Sequence, residues 1–265
     1  HYPLRRQRQM CIRDRIIITI IIMVKILSFD VGIKNLAYCL IEFTDNTNTI
    51  LEWDVIDITE RLLEKNIKCS VMNKGNLCNN IAINYIENDT KKIGFCKNKK
   101  CQAVASCAYS TIKLKKTKII SLKNITLLEL TSELIYKLKS KLNLLNVDIV
   151  VIENQPVLKN PTMKSIQMVL YSFFLIYGVT TDGSINNIAL FNAGRKLDIY
   201  NGPEIKSNCK AGSYTERKKL SIEYTKCLLK DNSTQLSFFI KHKKKDDLAD
   251  SYLQCLSYYK KKYNA

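Results

Sequence analysis

The chain has 265 residues, 46% of them hydrophobic, with 42 Lys and Arg against 24 Asp and Glu for a formal net charge of +18. That length and apolar fraction suffice for one sizeable core, which excludes a disordered chain and predicts one main domain with room for a small inserted module. The basic excess favours a polyanionic partner, nucleic acid ahead of an anionic membrane surface, through screened attraction and counterion release.

Residues 16–24 form an apolar run behind an arginine-rich start, like the hydrophobic region of a signal peptide. No small-residue cleavage site follows, and Lys25 and Asp30 interrupt the run far short of the ~20 apolar residues that span a bilayer. Secretion and membrane insertion are therefore disfavoured, and an organellar transit peptide is the alternative. The preferred expectation starts the natural chain at Met23, with residues 1–22 a non-native or upstream extension.

From Met23 the pattern predicts three consecutive strands, Val24 to Phe29, Leu36 to Phe43 after a glycine-containing turn, and Ile50 to Ile58. From about 66 to 110 the composition changes to Asn, Lys and cysteines with little apolar periodicity, which marks an insertion. Leu122 to Leu142 has helical spacing, Val147 to Ile152 reads as a buried strand ending at Glu153, and Pro161 opens a helix running to about Tyr177. Ile188 to Phe191 gives a short fifth strand, and helices over Tyr214 to Leu229 and Asp246 to Tyr259 close the chain. This order predicts an α/β fold around a mixed sheet.

Two acids stand at matching places. Asp30 ends the first strand, where Gly32 lets the backbone turn sharply, and Glu153 ends the later buried strand. Near the end, Asp247 and Asp250 share a helix face, but so do Asp246 and Asp250, and helical geometry alone does not choose between them. The plain alternative is that these three aspartates only favour a helix N-terminus, which leaves Asp30 and Glu153 unexplained. Two carboxylates ~4 Å apart repel by roughly 4 kcal/mol at an effective dielectric of 20, a cost that a divalent cation removes. Hard oxygen donors suit Mg²⁺ or Mn²⁺, and a pair of such ions supports phosphodiester hydrolysis.

The segments Ile26 to Ala37, Ile152 to Lys164 and Lys244 to Ser251 resemble the three active-site blocks of the RuvC-like Holliday junction resolvases of poxviruses and other large DNA viruses, in the same order. The resemblance implies an RNase H-like five-stranded mixed sheet with flanking helices, a nuclease domain over 23–265 interrupted by the insertion, and a homodimer that nicks four-way DNA junctions symmetrically. By position it makes Asp30, Glu153, Asp247 and Asp250 the catalytic acids holding two Mg²⁺ ions, with Asp246 a lesser candidate. It also implies an intracellular location, a viral replication compartment in the host cytoplasm or nucleus, with mitochondria as the alternative. The competing functions are an RNase H-like nuclease acting on RNA/DNA hybrids or flaps, a noncatalytic zinc-containing DNA-binding protein, and, with only 8 glycines against it, a phosphate-cradling ATPase.

Of the ten cysteines, Cys69 and Cys78 are separated by eight residues and Cys96 and Cys101 by four, and these four thiolates suit a closed structural zinc site, with Cys107 a possible substitute. Related viral resolvases carry a similar cysteine-containing insertion, which strengthens the zinc reading. Cys39, Cys209, Cys227 and Cys255 read as plain thiols. For DNA phosphates the candidates are Lys34, Lys159, Lys164, Arg195, Lys196, Lys218, Lys219 and Lys245, each individually open to being an ordinary surface charge. Met163, Ile166, Met168, Leu170 and Phe174 are candidates for an apolar interface helix or for the core, and Tyr171 for stacking on an opened base or for packing in its own helix.

Overall fold

The computed structural model of the chain describes residues 23–263 apart from 46, 89–90, 159 and 206–208, so the expected extension over 1–22 lies outside the described residues. Strands β1 (Val24–Asp30), β2 (Leu36–Phe43) and β3 (Asn48–Ile56) form an antiparallel meander. The turn after β1 is tight enough that a Cβ on Gly32 would lie 2.3 Å from the Asn35 carbonyl oxygen, so only glycine fits there. A short helix, α1 (Glu60–Glu64), leads into the cysteine-rich stretch. There β4 (Met72–Asn73) pairs with β5 (Asn76–Leu77), and β6 (Asn84–Asn88) pairs with β7 (Lys91–Phe95) ahead of α2 (Lys99–Ala108) and β8 (Lys115–Lys116). This stretch packs a small core of its own around Val71, Ile86, Phe95 and the buried cysteines.

Helix α3 (Leu127–Lys139) is shorter than the periodicity of Leu122 to Leu142 predicts. Its start is fixed by a capping box, in which the Glu129 amide donates to Thr126 Oγ1 and the Thr126 amide donates to Glu129 Oε2. Next come β9 (Ile149–Glu153), α4 (Pro161–Phe174) with proline in its first turn, a π-helical continuation over Leu175–Thr181, and β10 (Asn187–Phe191). A 3₁₀ segment, Ala193–Ile199, is followed by α5 (Tyr214–Leu228), α6 (Ser233–Lys241) and α7 (Lys245–Tyr263).

The strands assemble in the order β10-β9-β1-β2-β3, with β9 parallel to both β1 and β10, which is the mixed five-stranded sheet the sequence predicts. Both faces are covered, so the central strands read as near-continuous apolar runs. Leu27, Phe29, Val150 and Ile152 face α3 and α4, whereas Ile26, Ile149 and Val151 face α7. Strand alternation then decides the site: two residues beyond Ser28 and Val151, on the α7 side, come Asp30 and Glu153. Because Phe29 pairs with Ile152 in parallel register, the two carboxylates leave the same sheet edge side by side.

The side chains of Trp53 and Gln254 fix α7 on that face. Trp53 Nε1 donates to the Leu248 carbonyl (3.0 Å), and the buried Gln254 Nε2 donates to Ser28 Oγ (2.9 Å) and to the Phe29 carbonyl (3.0 Å).

The apolar residues of α4 do not form one free face. Ile166, Leu170 and Phe174 are buried against the sheet, Phe174 with its ring 5.4 Å from that of Phe29, while Met168 is exposed. Tyr171 is half-buried and packs on the same core. Among the described residues, Pro161–Thr181 is the one helical stretch that by length and composition alone is apolar enough to cross a membrane, and its buried side chains pack on the sheet.

Candidate active site

The carboxylates from the beginning, middle and end of the chain converge. Asp30, Glu153, Asp247 and Asp250 line one cleft of about 410 Å³ together with Lys34, Lys196, Arg217 and Lys218. Burial first, then the Glu153 and Asp250 charges, push the Asp30 carboxyl well above the ordinary aspartate value against the opposing pull of Lys196. The Lys196 ammonium lies 2.6 Å from Asp250 Oδ2 and 3.9 Å from Asp30 Oδ1. Burial acts against its charge, but Asp30, Asp250 and Glu153 outweigh that and raise its pKa.

Helical spacing alone leaves the choice at the start of α7 open, and the lining of the cleft separates the two residues. Lys218 on α5 bonds Asp246, which is held below its usual pKa by that bond even though burial acts the other way, and Asp246 does not line the cleft. Asp247 does line it, with its pKa raised by burial and by Asp246. Asp247 Oδ2 and Asp250 Oδ1 are buried without a hydrogen-bond partner among the described residues. Orphaned carboxylate oxygens beside two further acids are hard donors, the chemistry that suits a divalent cation.

Glu153 is held from behind. Gln155 Nε2 donates to Glu153 Oε2 (2.6 Å), the Gln155 amide donates to Gln167 Oε1 (2.8 Å), and Lys164 Nζ donates to Gln167 Oε1 (3.2 Å) and Asn154 Oδ1 (3.1 Å). Gln155 and Gln167 are buried. Sequence reasoning missed both; Gln155 two residues beyond a strand-end glutamate, and Gln167 nearly two turns into an apolar helix, are the signals that mark them.

The basic candidates divide. Lys34 is exposed at the cleft, Lys196 sits among the acids, Lys218 is tied to Asp246, and Lys164 is tied to Asn154 and Gln167. Lys219 and Lys245 do not line the cleft, and Arg217 and Tyr214 do, although neither was singled out. Lys159 and the Arg195 side chain lie outside the described residues.

In the inserted module, the sulfurs of Cys69, Cys78, Cys96 and Cys101 all lie within 4.8 Å of one another. Cys78 Sγ is 3.7 Å from the sulfurs of both Cys96 and Cys101, close to the ~3.8 Å edge of a tetrahedron with sulfurs ~2.3 Å from a zinc ion. The Asn80 amide leads in holding the Cys78 thiol down to about 7, while burial and the other thiols push Cys101 up to about 12. The quartet is thus placed to hold a metal ion, and exposed Cys107 stands outside it.

The family profile described as "Mitochondrial resolvase Ydc2 / RNA splicing MRS1" matches residues 26–157, and that described as "Poxvirus A22 protein" matches residues 102–262, more than half of the chain. A relative, the uncharacterized protein L451 of Acanthamoeba polyphaga mimivirus, is 28% identical over 312 residues, covering 87% of this chain and 73% of its own length. Among solved structures, the yeast mitochondrial Holliday junction resolvase Ydc2 aligns over 89% of this chain and 78% of its own, at 15% identity and a TM-score of 0.44. The fowlpox virus resolvase in complex with Holliday junction DNA aligns over 89% of this chain and 97% of its own, at 20% identity and a TM-score of 0.42. With its carboxylates gathered at one sheet edge and a matching profile over most of its length, the chain belongs to the poxvirus A22 protein family.

Proposed function

We propose that the protein is a junction-resolving endonuclease that hydrolyses phosphodiesters in four-way DNA, nicking opposed strands symmetrically as a homodimer with one cleft per subunit. The carrying observation is the convergence of Asp30, Glu153, Asp247 and Asp250 with Lys196 in one cleft, in a chain of this family. Asp30, Glu153, Asp247 and Asp250 are the residues that would hold two Mg²⁺ or Mn²⁺ ions, which would supply activation of a water and stabilisation of the leaving oxygen.

The protein's own groups do the remainder. Gln155 fixes the Glu153 carboxylate in one orientation, and the Lys196 charge balances the acids and faces a phosphate entering the cleft. Lys34 and Arg217 at the rim pair with flanking phosphates, a contact that gives affinity without reading sequence. The cysteine quartet would hold one structural zinc, which would supply much of the cohesion of the inserted module. The mimivirus relative supports a viral setting, where junction cutting would serve DNA replication or recombination.

The test is a synthetic four-way junction incubated with purified full-length protein. Paired, symmetric nicks that require Mg²⁺ or Mn²⁺ are expected. Equal or faster cutting of RNA/DNA hybrids or flaps in the same salt, or binding with no cleavage, overturns the reading.

A further inference from the structure

Helix α5 starts at Tyr214, with the Ser213 side chain capping it by accepting from the Glu216 amide. Residues 214, 217 and 218 follow one another at helical spacing, so Tyr214, Arg217 and Lys218 present one face, and all three line the cleft that holds the carboxylates. The strongly exposed aromatic side chains among the described residues are Tyr136, Tyr214, Phe238 and Tyr263. Tyr136 is covered by the Arg61 guanidinium 4.0 Å from its ring centre, Phe238 packs on Trp53, and Tyr263 packs on Tyr259. Tyr214 also carries a cation over its ring, the Lys218 ammonium 5.1 Å from the ring centre and anchored on Asp246, but at 66% it is the most exposed of the four and the one that lines the cleft.

A ring open to solvent on the lip of an acid cleft, with cations fixed one turn behind it, has the chemistry that single-stranded nucleic acid needs: a stacking platform for a base and positive charge for the adjoining phosphate. We propose that Tyr214 stacks on an unpaired nucleobase beside the phosphate in the cleft, so that the site engages DNA whose bases are opened, as at a branch point. This rests on the nuclease reading above and adds the group by which branched DNA is told from continuous duplex. A paired base is already stacked on both faces and offers Tyr214 none, so duplex gains nothing from the residue. The arrangement also reassigns the stacking role, since Tyr171 packs within the core while Tyr214 stands at the cleft.

The test uses full-length protein in which Asp30→Asn blocks cleavage, and four-way junctions carrying 2-aminopurine at either nucleotide flanking the branch point. Quenching of that fluorophore on binding is expected with Tyr214 present, retained in Tyr214→Phe and lost in Tyr214→Ala. In the cleavage-competent protein, Tyr214→Ala is expected to lower junction cleavage on the order of tenfold while duplex affinity is unchanged, with Tyr214→Phe close to the parent. Equal quenching with and without the ring, or a Tyr214→Phe loss as large as that of Tyr214→Ala, overturns the inference. The binding readout needs no catalysis, so absent cleavage by the parent protein counts against the nuclease reading and leaves the stacking result to stand or fall by itself.

Discussion

The Lys196 ammonium lies 2.6 Å from the Asp250 carboxylate, inside the acid cluster and not on an open basic surface. It is almost fully enclosed, and without it Asp30 and Asp250 would lose the ammonium that lies 3.9 Å from the first and 2.6 Å from the second. Lys196→Met is therefore expected to lower the melting temperature in EDTA. It should also cut kcat by about 10² to 10³, with junction affinity changed little, as for loss of one fixed donor facing developing charge. Lys196→Arg should not restore the rate, because a planar fork does not occupy the place of a compact ammonium. Paired binding and single-turnover measurements check this, and a weakened affinity with normal kcat would make Lys196 an ordinary phosphate contact.

Asp30 gives the opposite sign in stability. Its folded-state pKa lies above the ordinary 3.8 because of burial, Glu153 and Asp250, so above that pH the folded chain retains a proton that the unfolded chain has lost. Metal-free stability accordingly falls as pH rises from about 3.8 through the raised value. Asp30→Asn is expected to raise the melting temperature in EDTA at pH 7.5, to show little gain near pH 4, and to abolish cleavage. Thermal melts at both pH values decide it; an equal gain at each would assign the change to packing and not to charge.

Much of this was legible in the sequence, for identifiable reasons. Strands buried on both faces are apolar throughout, and period-two alternation puts Asp30 and Glu153 on one side once β1 and β9 are parallel neighbours. Helical spacing admits both Asp246 and Asp247, and only the resemblance favours Asp247; in the structure Lys218, 28 residues before Asp246, bonds Asp246 and lies 4.0 Å from Asp247, and only Asp247 lines the cleft. Helix α6 escaped because it is short, and its start depends on one Asn232 cap. Gln155, Gln167 and Gln254 escaped because a buried amide looks like any polar residue until its partners are known.

Gln155 should set the metal requirement. Its amide occupies Glu153 Oε2 and so limits how the carboxylate can turn. Gln155→Leu is expected to weaken Mn²⁺ binding and raise the Mg²⁺ concentration for half-maximal rate by about 10- to 100-fold, the usual range for groups behind a metal ligand. Calorimetric Mn²⁺ titration of the uncut protein supplies a readout independent of turnover. A normal titration would leave Gln155 with a packing role only.

Zinc should be needed for the inserted module and not for the sheet. The module's small core is built partly from Cys69, Cys96 and Cys101 themselves, so losing the ion leaves a cluster of buried thiols with little else to hold it. One zinc per chain is expected by elemental analysis, falling to none in Cys96→Ser. Hydrogen exchange in that variant should accelerate over residues 69–116, while β1 and β9 keep their protection. Uniform acceleration across the chain would mean that the module and the sheet unfold together.

Gln254 offers a separate test of how the three acid-bearing elements are kept in register. It lies on α7 one turn beyond Asp250, is wholly buried, and donates both to the Phe29 carbonyl, next to Asp30, and to Ser28 Oγ. Its Oε1 has no partner among the described residues, so the side chain stabilises the fold only through its amide donors while its carbonyl opposes burial. Gln254→Leu, close in volume, removes both effects together. Stability in urea is therefore expected to change by no more than about 1 to 3 kcal/mol, whereas kcat should fall about tenfold as Asp247 and Asp250 lose their fixed position against Asp30. Gln254→Ala adds a cavity and should destabilise further without a proportionate loss of rate. If kcat in the leucine variant matches the parent, α7 is held by Trp53 and its apolar face alone, and the buried glutamine has no part in aligning the acids.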